Sequence, residues 1–151
     1  MRAGRRRLRS EFEVADRSPG LLLWRATNLW QAAQRATLQP FGLTHVQFVL
    51  LASLTWLDVE GPVTQRQLAD HCATDPMMTS QVLRVLERRG FVDRQAHPDD
   101  GRARAVVVTE KGAALANRAV TAVEACDRAF FAPLGSGTRS FADGLAKLAS
   151  A

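Results

Sequence analysis

Cysteine is scarce: Cys72 and Cys126 are the only two in 151 residues. Two are too few for the disulfide framework of a small secreted domain, and both are read as free, buried thiols. Long apolar runs are missing as well. The longest, Phe48–Ala52, is far short of the ~20 residues that span a bilayer. No apolar segment follows the basic N-terminus as a secretion signal would require. A membrane partner is therefore not expected, and a cytoplasmic location is. The three histidines, His45, His71 and His97, have no metal-binding spacing to one another or to cysteine, so neither metal nor cofactor is expected. No Gly-rich phosphate loop, Ser/His/Asp arrangement or paired catalytic carboxylates stand out, and the chain does not read as an enzyme.

Acidic residues are absent from residues 1–9, which carry Arg2, Arg5, Arg6, Arg7 and Arg9. These five arginines account for the whole net charge of +5, because the remaining 15 basic residues are matched by 15 acidic ones. Bulk charge thus gives no support for a nucleic-acid partner, and only the placement of arginines can. With 46% hydrophobic residues, the chain can form one globular core without staples.

Helix starts are well marked. Ser18-Pro19 combines a capping serine with proline at the first helical position. The helix that follows, with Leu22, Ala26, Leu29, Trp30 and Ala33 at helical spacing, should end near Pro40-Phe41-Gly42. Thr44-x-x-Gln47 is a capping box opening a second helix, roughly 44–57, whose apolar residues on nearly all faces predict a central, buried position. Thr64-x-x-Gln67 opens a short third helix to about Cys72, Ala73-Thr74 is a turn, and Asp75-Pro76 starts a fourth helix reaching Arg89 and stopping at Gly90. The period then changes. Phe91–Gln95 and Arg102–Val108 alternate as strands around a loop dense in turn formers. Thr109 caps a long helix to about Phe131 with Leu115, Ala119, Ala122, Cys126 and Ala129 on one face, and a last short helix spans roughly Arg139–Ala149.

Two short helices joined by a tight turn and followed by a hairpin form a winged helix-turn-helix, whose second helix lies in the major groove of DNA. The fold class is therefore mainly α with a small β-hairpin wing. The fourth helix carries Met78, Val82, Val85 and Leu86 toward the core, with Leu83 adjoining. Met77, Ser80, Gln81, Arg84 and Arg88 fall on its other side. Arginine, glutamine and serine are types that read base edges or hold phosphates, the helix N-terminus offers free N–H groups to phosphate, and Thr74 and Pro76 at that start are counted with the DNA-binding residues. On the hairpin, Arg94, Arg102 and Arg104 suit phosphate contact beside the minor groove. Arg102 and Arg104 are expected to point the same way along one strand. Asp100 is expected to orient Arg94 or Arg102.

Four segments carry a family resemblance: Met77-Met78-Thr79-Ser80-Gln81-Val82-Leu83-Arg84, Leu86-Glu87-Arg88-Arg89-Gly90-Phe91-Val92-Asp93-Arg94, His97-Pro98-Asp99-Asp100-Gly101-Arg102-Ala103 and Val108-Thr109-Glu110-Lys111-Gly112. Together they resemble the MarR family of bacterial regulators, most strongly over about 62–112. Glycine at 101 stands where a second wing arginine is frequent, and valine at 108 where leucine is. The resemblance implies a single domain over 1–151. Residues 1–17 would be a basic tail, 18–42 and 110–151 the helical dimerisation base, and 44–109 the winged lobe. It implies a homodimer that binds palindromic operators in double-stranded DNA as a repressor, released by a small, often aromatic effector. Trp24, Trp30 and Trp56 are candidates to line the effector pocket. Two alternatives stay open: a winged-helix module that binds protein in place of DNA, and a redox-responsive repressor using Cys72 or Cys126.

Overall fold

A computed structural model describes residues 8–57 and 61–150. The four N-terminal arginines up to Arg7 and the segment 58–60 lie outside them. Helix α1, Pro19–Leu38, begins where the Ser18 hydroxyl accepts the Leu21 N–H at 3.3 Å. It runs into a 3-10 turn, Gln39–Phe41, closed by Gly42 at φ 66°. That left-handed conformation suits glycine at a helix end.

Helix α2, His45–Leu57, opens on the expected box: Thr44 Oγ1 accepts the Gln47 N–H at 3.2 Å and Gln47 Oε1 accepts the Thr44 N–H at 3.0 Å. Leu50, Leu51 and Leu54 are fully buried, each burial stabilising by roughly 2 kcal/mol. Strand β1, Val63–Thr64, leads directly into helix α3, Gln65–Cys72, through a second complete capping box. Ala73 then turns the chain at φ 52°, a left-handed alanine. Helix α4, Pro76–Arg88, starts where the Asp75 carboxylate accepts the Met78 N–H at 2.9 Å.

Strands β2, Val92–Ala96, and β3, Arg104–Val108, form the wing, with Arg94 opposite Val106 and Ala96 opposite Arg104. β1 pairs with the far edge of β3, giving an antiparallel sheet in the order β1-β3-β2. Helix α5, Glu110–Phe131, is capped by Thr109. A 3-10 segment, Ala132–Gly137, joins it to helix α6, Thr138–Ala149.

The core is one cluster shared by α2, α3, α4, the sheet and α5, with Leu38 from the end of α1. The buried stripe of α5 is Gly112, Leu115, Ala116, Ala119 and Val123. It drifts from the expected one, since Cys126 is half-buried and Ala129 exposed. Gly112 is obligatory, because a methyl group there would collide with the Phe91 carbonyl oxygen. Among the described residues no single helix is long and apolar enough to cross a membrane.

Candidate nucleic-acid interface

The turn between α3 and α4 is locked from inside. Thr79 is fully buried on α4 and donates its hydroxyl to the Asp75 carbonyl at 2.8 Å, and the Thr74 hydroxyl lies 2.7 Å from it. Thr74, expected at the DNA face, is thus half-buried and occupied in this lock. Thr79 takes a core position that the apolar pattern could not reveal, because its polarity hides it.

Helix α4 divides as its spacing requires. Leu83 and Leu86 are fully buried, while Met78, Val82 and Val85 are half-buried beside them. Pro76, Met77, Gln81, Arg84 and Arg88 are exposed and Ser80 is half-exposed. Met77, at 74% exposure, stands out as an uncovered apolar side chain at the helix start. A protruding row of glutamine and arginine, uncovered by any other element, can present donors to base edges or phosphates.

The wing differs from expectation in three respects. Arg102 sits in the turn and not on the strand, which begins at Arg104, so the two do not share a strand face. Both are exposed. The loop's early turn formers and Gly101 delay pairing until residue 104. Asp100 accepts the Arg102 backbone N–H at 3.0 Å and shapes the wing tip through the main chain. It is not the partner of Arg94. Arg94 turns inward: only 13% of its side chain is exposed, and Nη2 donates to Glu87 Oε1 on α4 at 3.1 Å. Its backbone N–H donates to Glu87 Oε2 at 3.2 Å, and Nη1 reaches Gln65 Oε1 on α3 at 3.5 Å. Arg94 therefore braces the wing against α4 and α3 instead of extending from it. Sequence reasoning missed Glu87 and Gln65, although Glu87 precedes Arg94 by seven residues across the α4–β2 turn. Hydrogen bonding from Arg94 holds the Glu87 carboxyl below the usual carboxylate range, against a smaller opposing effect of burial.

Between wing and helices lies an open cleft of about 580 Å³ bounded by Gln65, Arg66, Asp70, Pro76, Asp100, Arg102 and Arg104. Three arginines and the N-terminus of α4 thus border this cleft, together with the carboxylates of Asp70 and Asp100.

The tryptophans do not form one pocket wall. Trp24 and Trp30 are six residues apart on α1, about 120° around the helix, and face different surroundings. Trp24 is 68% and Trp56 69% exposed. Trp30 is half-buried, donating Nε1–H to Asp127 Oδ1 at 2.8 Å and meeting the His45 ring edge-on at 4.9 Å between centroids. Gln34, fully buried, donates to the same Asp127 oxygen at 2.7 Å, and its own Oε1 has no partner among the described residues. Burial lowers the His45 pKa, opposed by Asp127 and aided by Arg35. Asp127 also borders an open cleft of about 400 Å³ with Glu124, Arg128, Phe131, Ala132 and Thr138. Burial raises the Cys72 thiol pKa, only partly offset by a hydrogen bond with Ser53, which disfavours the reactive thiolate.

A three-helix core carrying a β-wing, with an uncovered polar face on the second helix of the turn, defines the winged helix-turn-helix class. Residues 43–103 match the MarR family. The chain is 44% identical over 124 residues to the HTH-type transcriptional regulator YdcH of Bacillus subtilis, covering 82% of this chain and 84% of that one. It is 36% identical over 140 residues to the HTH-type transcriptional repressor Rv2887 of Mycobacterium tuberculosis, covering 91% and 98%. The structure of Rv2887 with salicylic acid superimposes with a TM-score of 0.68 over 89% of this chain and 99% of that one. A further Rv2887 structure, at 33% identity over the aligned region, is a complex with DNA and gives a TM-score of 0.66 over 87% and 97%. BpsR of Bordetella bronchiseptica, whose DNA binding is regulated by 6-hydroxynicotinic acid, gives 0.81 at 26% identity over 90% and 96%. The chain belongs to the MarR family of HTH-type transcriptional regulators.

Proposed function

We propose that the protein is a homodimeric repressor that binds palindromic operators in double-stranded DNA and is released by a small aromatic acid. The observation that carries this is the row of Ser80, Gln81, Arg84 and Arg88 along the uncovered side of α4, beside a wing bearing Arg102 and Arg104. In this reading Gln81 and Arg84 read base edges, and Pro76 and Met77 bring the helix start to a phosphate. Arg88, Arg102 and Arg104 hold backbone phosphates. Thr74 and Arg94 serve by positioning the turn and the wing. The relatives support it: Rv2887 is named a repressor and has been seen with DNA and with salicylic acid.

The dimer is supported by apolar surface on the two ends of the chain. α1 exposes Leu21, Leu22, Leu23, Trp24 and Leu29, and α6 exposes Phe141, Leu145 and Leu148 at helical spacing. Such clustered apolar exposure calls for a partner surface. Residues 18–42 and 110–151 would form this base, with 44–109 as the lobe. A two-fold dimer needs half-sites about one helical turn, ~10 bp, apart. The effector would enter where Asp127 joins the half-buried Trp30 and the buried Gln34 to the open cleft.

The test is a mobility-shift titration on the duplex upstream of the protein's own gene against a scrambled duplex, with and without salicylate. Selective binding relieved by salicylate supports the proposal. Selective binding that no aromatic acid relieves removes the effector. Equal binding to both duplexes removes the operator and favours a protein-binding module.

A further inference from the structure

We propose that Arg89 is a positioning residue that sets the tilt of helix α4 by tying its C-terminal end to the elbow between α1 and α2. This rests on the DNA-binding reading of α4. Arg89 immediately follows α4, and its half-buried side chain is engaged by other parts of the chain. Nη1 donates to the Gly42 carbonyl at 2.8 Å and reaches Gln47 Oε1 at 3.4 Å. That Gln47 oxygen is the one that caps α2 by accepting the Thr44 N–H. One guanidinium therefore touches both the elbow and the first turn of α2.

The fit at the elbow is close. Gly42 holds a left-handed φ of 66°, and a Cβ there would lie 3.2 Å from Arg89 Nη2. The same guanidinium lies over the Phe91 ring, 4.9 Å from its centroid, and Lys111 Nζ from α5 stands 5.0 Å from that centroid. Lys111 Nζ also donates to the Arg89 carbonyl at 3.1 Å. The end of α4 is thus held to the elbow, α2 and α5 through three charge-assisted hydrogen bonds, and the Phe91 ring carries both the Arg89 and the Lys111 cation. A planar guanidinium lies flat on a ring while its edge donates to two acceptors, a geometry that a lysine ammonium does not reproduce.

Geometry makes this consequential. α4 is 13 residues long, roughly 20 Å at ~1.5 Å per residue. A tilt of about 5° at the anchored end displaces the far end by about 2 Å, enough to spoil bidentate base contacts, which tolerate ~0.5 Å. Arg89 would therefore govern recognition without touching DNA.

The experiment uses the full chain with Arg89→Met, which keeps the stem, and Arg89→Lys, which keeps the charge. Operator affinity is measured across a salt series, and amide hydrogen exchange is followed in the DNA-free proteins. The expected result is that Arg89→Met binds operator about tenfold more weakly, the equivalent of one charge-assisted bond, with the slope of affinity against salt unchanged. Arg89→Lys also loses affinity. Exchange quickens in residues 42–47 and 88–91 of both variants. Two results would overturn the proposal: a slope lower by about one with full rescue by lysine, which makes Arg89 a phosphate contact, or unchanged affinity. If the wild-type protein selects no operator, the DNA reading itself fails, and that is seen before any variant is compared. The exchange arm still reports whether Arg89 holds the elbow.

Discussion

Replacing Glu87 by glutamine removes the charge and one of the two acceptors that hold the wing arginine against α4. Both Glu87 oxygens are occupied by Arg94, one by its guanidinium at 3.1 Å and one by its backbone N–H at 3.2 Å. The amide keeps one acceptor and loses the charge, leaving Arg94 with 13% exposure and a buried Nε that already lacks a partner among the described residues. A hydrogen bond to a charged group contributes ~1.5–3 kcal/mol net, and an exposed ion pair only ~0.2–1. Glu87 is 36% exposed, so solvent screening trims the larger figure to about 2 kcal/mol. For a chain of this size that is roughly 4–8 °C in Tm. Thermal unfolding of Glu87→Gln, Arg94→Met and the double variant isolates the pair, and a coupling above ~1 kcal/mol is expected. Additivity within ~0.5 kcal/mol would refute the brace. Acid provides a second check. The folded Glu87 carboxyl titrates below its unfolded value of ~4.3, so the pair's contribution is full above that pH. It is lost as pH falls through the folded pKa. The wild-type advantage over Glu87→Gln should therefore vanish in strong acid. Arg94→Met should leave the salt slope of DNA binding unchanged.

Other perturbations test other links. Gly112→Ala forces a methyl against the Phe91 carbonyl and should cost about 3 kcal/mol; denaturant unfolding with a midpoint like the wild type's would show that the α5 start can shift freely. Leu145→Glu on the exposed α6 stripe should convert a dimer to monomer in sedimentation; a persisting dimer would move the interface elsewhere. Arg102→Ala at the wing tip should weaken binding to all duplexes and lower the salt slope by about one, whereas an unchanged slope would take Arg102 off the phosphates.

Helix starts were legible because capping is local chemistry. Thr44, Thr64, Asp75 and Thr109 each accept the backbone N–H that their sequence context implied. The outward row on α4 was legible too, since helical spacing fixes which side chains share a face. Strand β1 was not: its two residues are too few to show a period. Arg94 was misplaced because its orientation depends on Glu87 and Gln65, tertiary partners that the alternation of a strand does not encode. Asp100 was assigned a side-chain partner where it bonds the main chain, and the wing strand begins two residues later than its alternation suggested. The tryptophans were candidates to line a pocket because they fall on the first two helices, yet Trp24 and Trp56 are exposed and Trp30 is half-buried against Asp127 and His45.

If the uncovered face of α4 reads sequence, Arg84 is the residue whose loss shows it. Operator and scrambled-duplex affinities of wild type and Arg84→Ala, measured at matched salt, give the answer. Arg84→Ala is expected to lose about 1–3 kcal/mol on the operator and markedly less on the scrambled duplex. Equal losses on both would make Arg84 a phosphate contact and contradict base reading by α4.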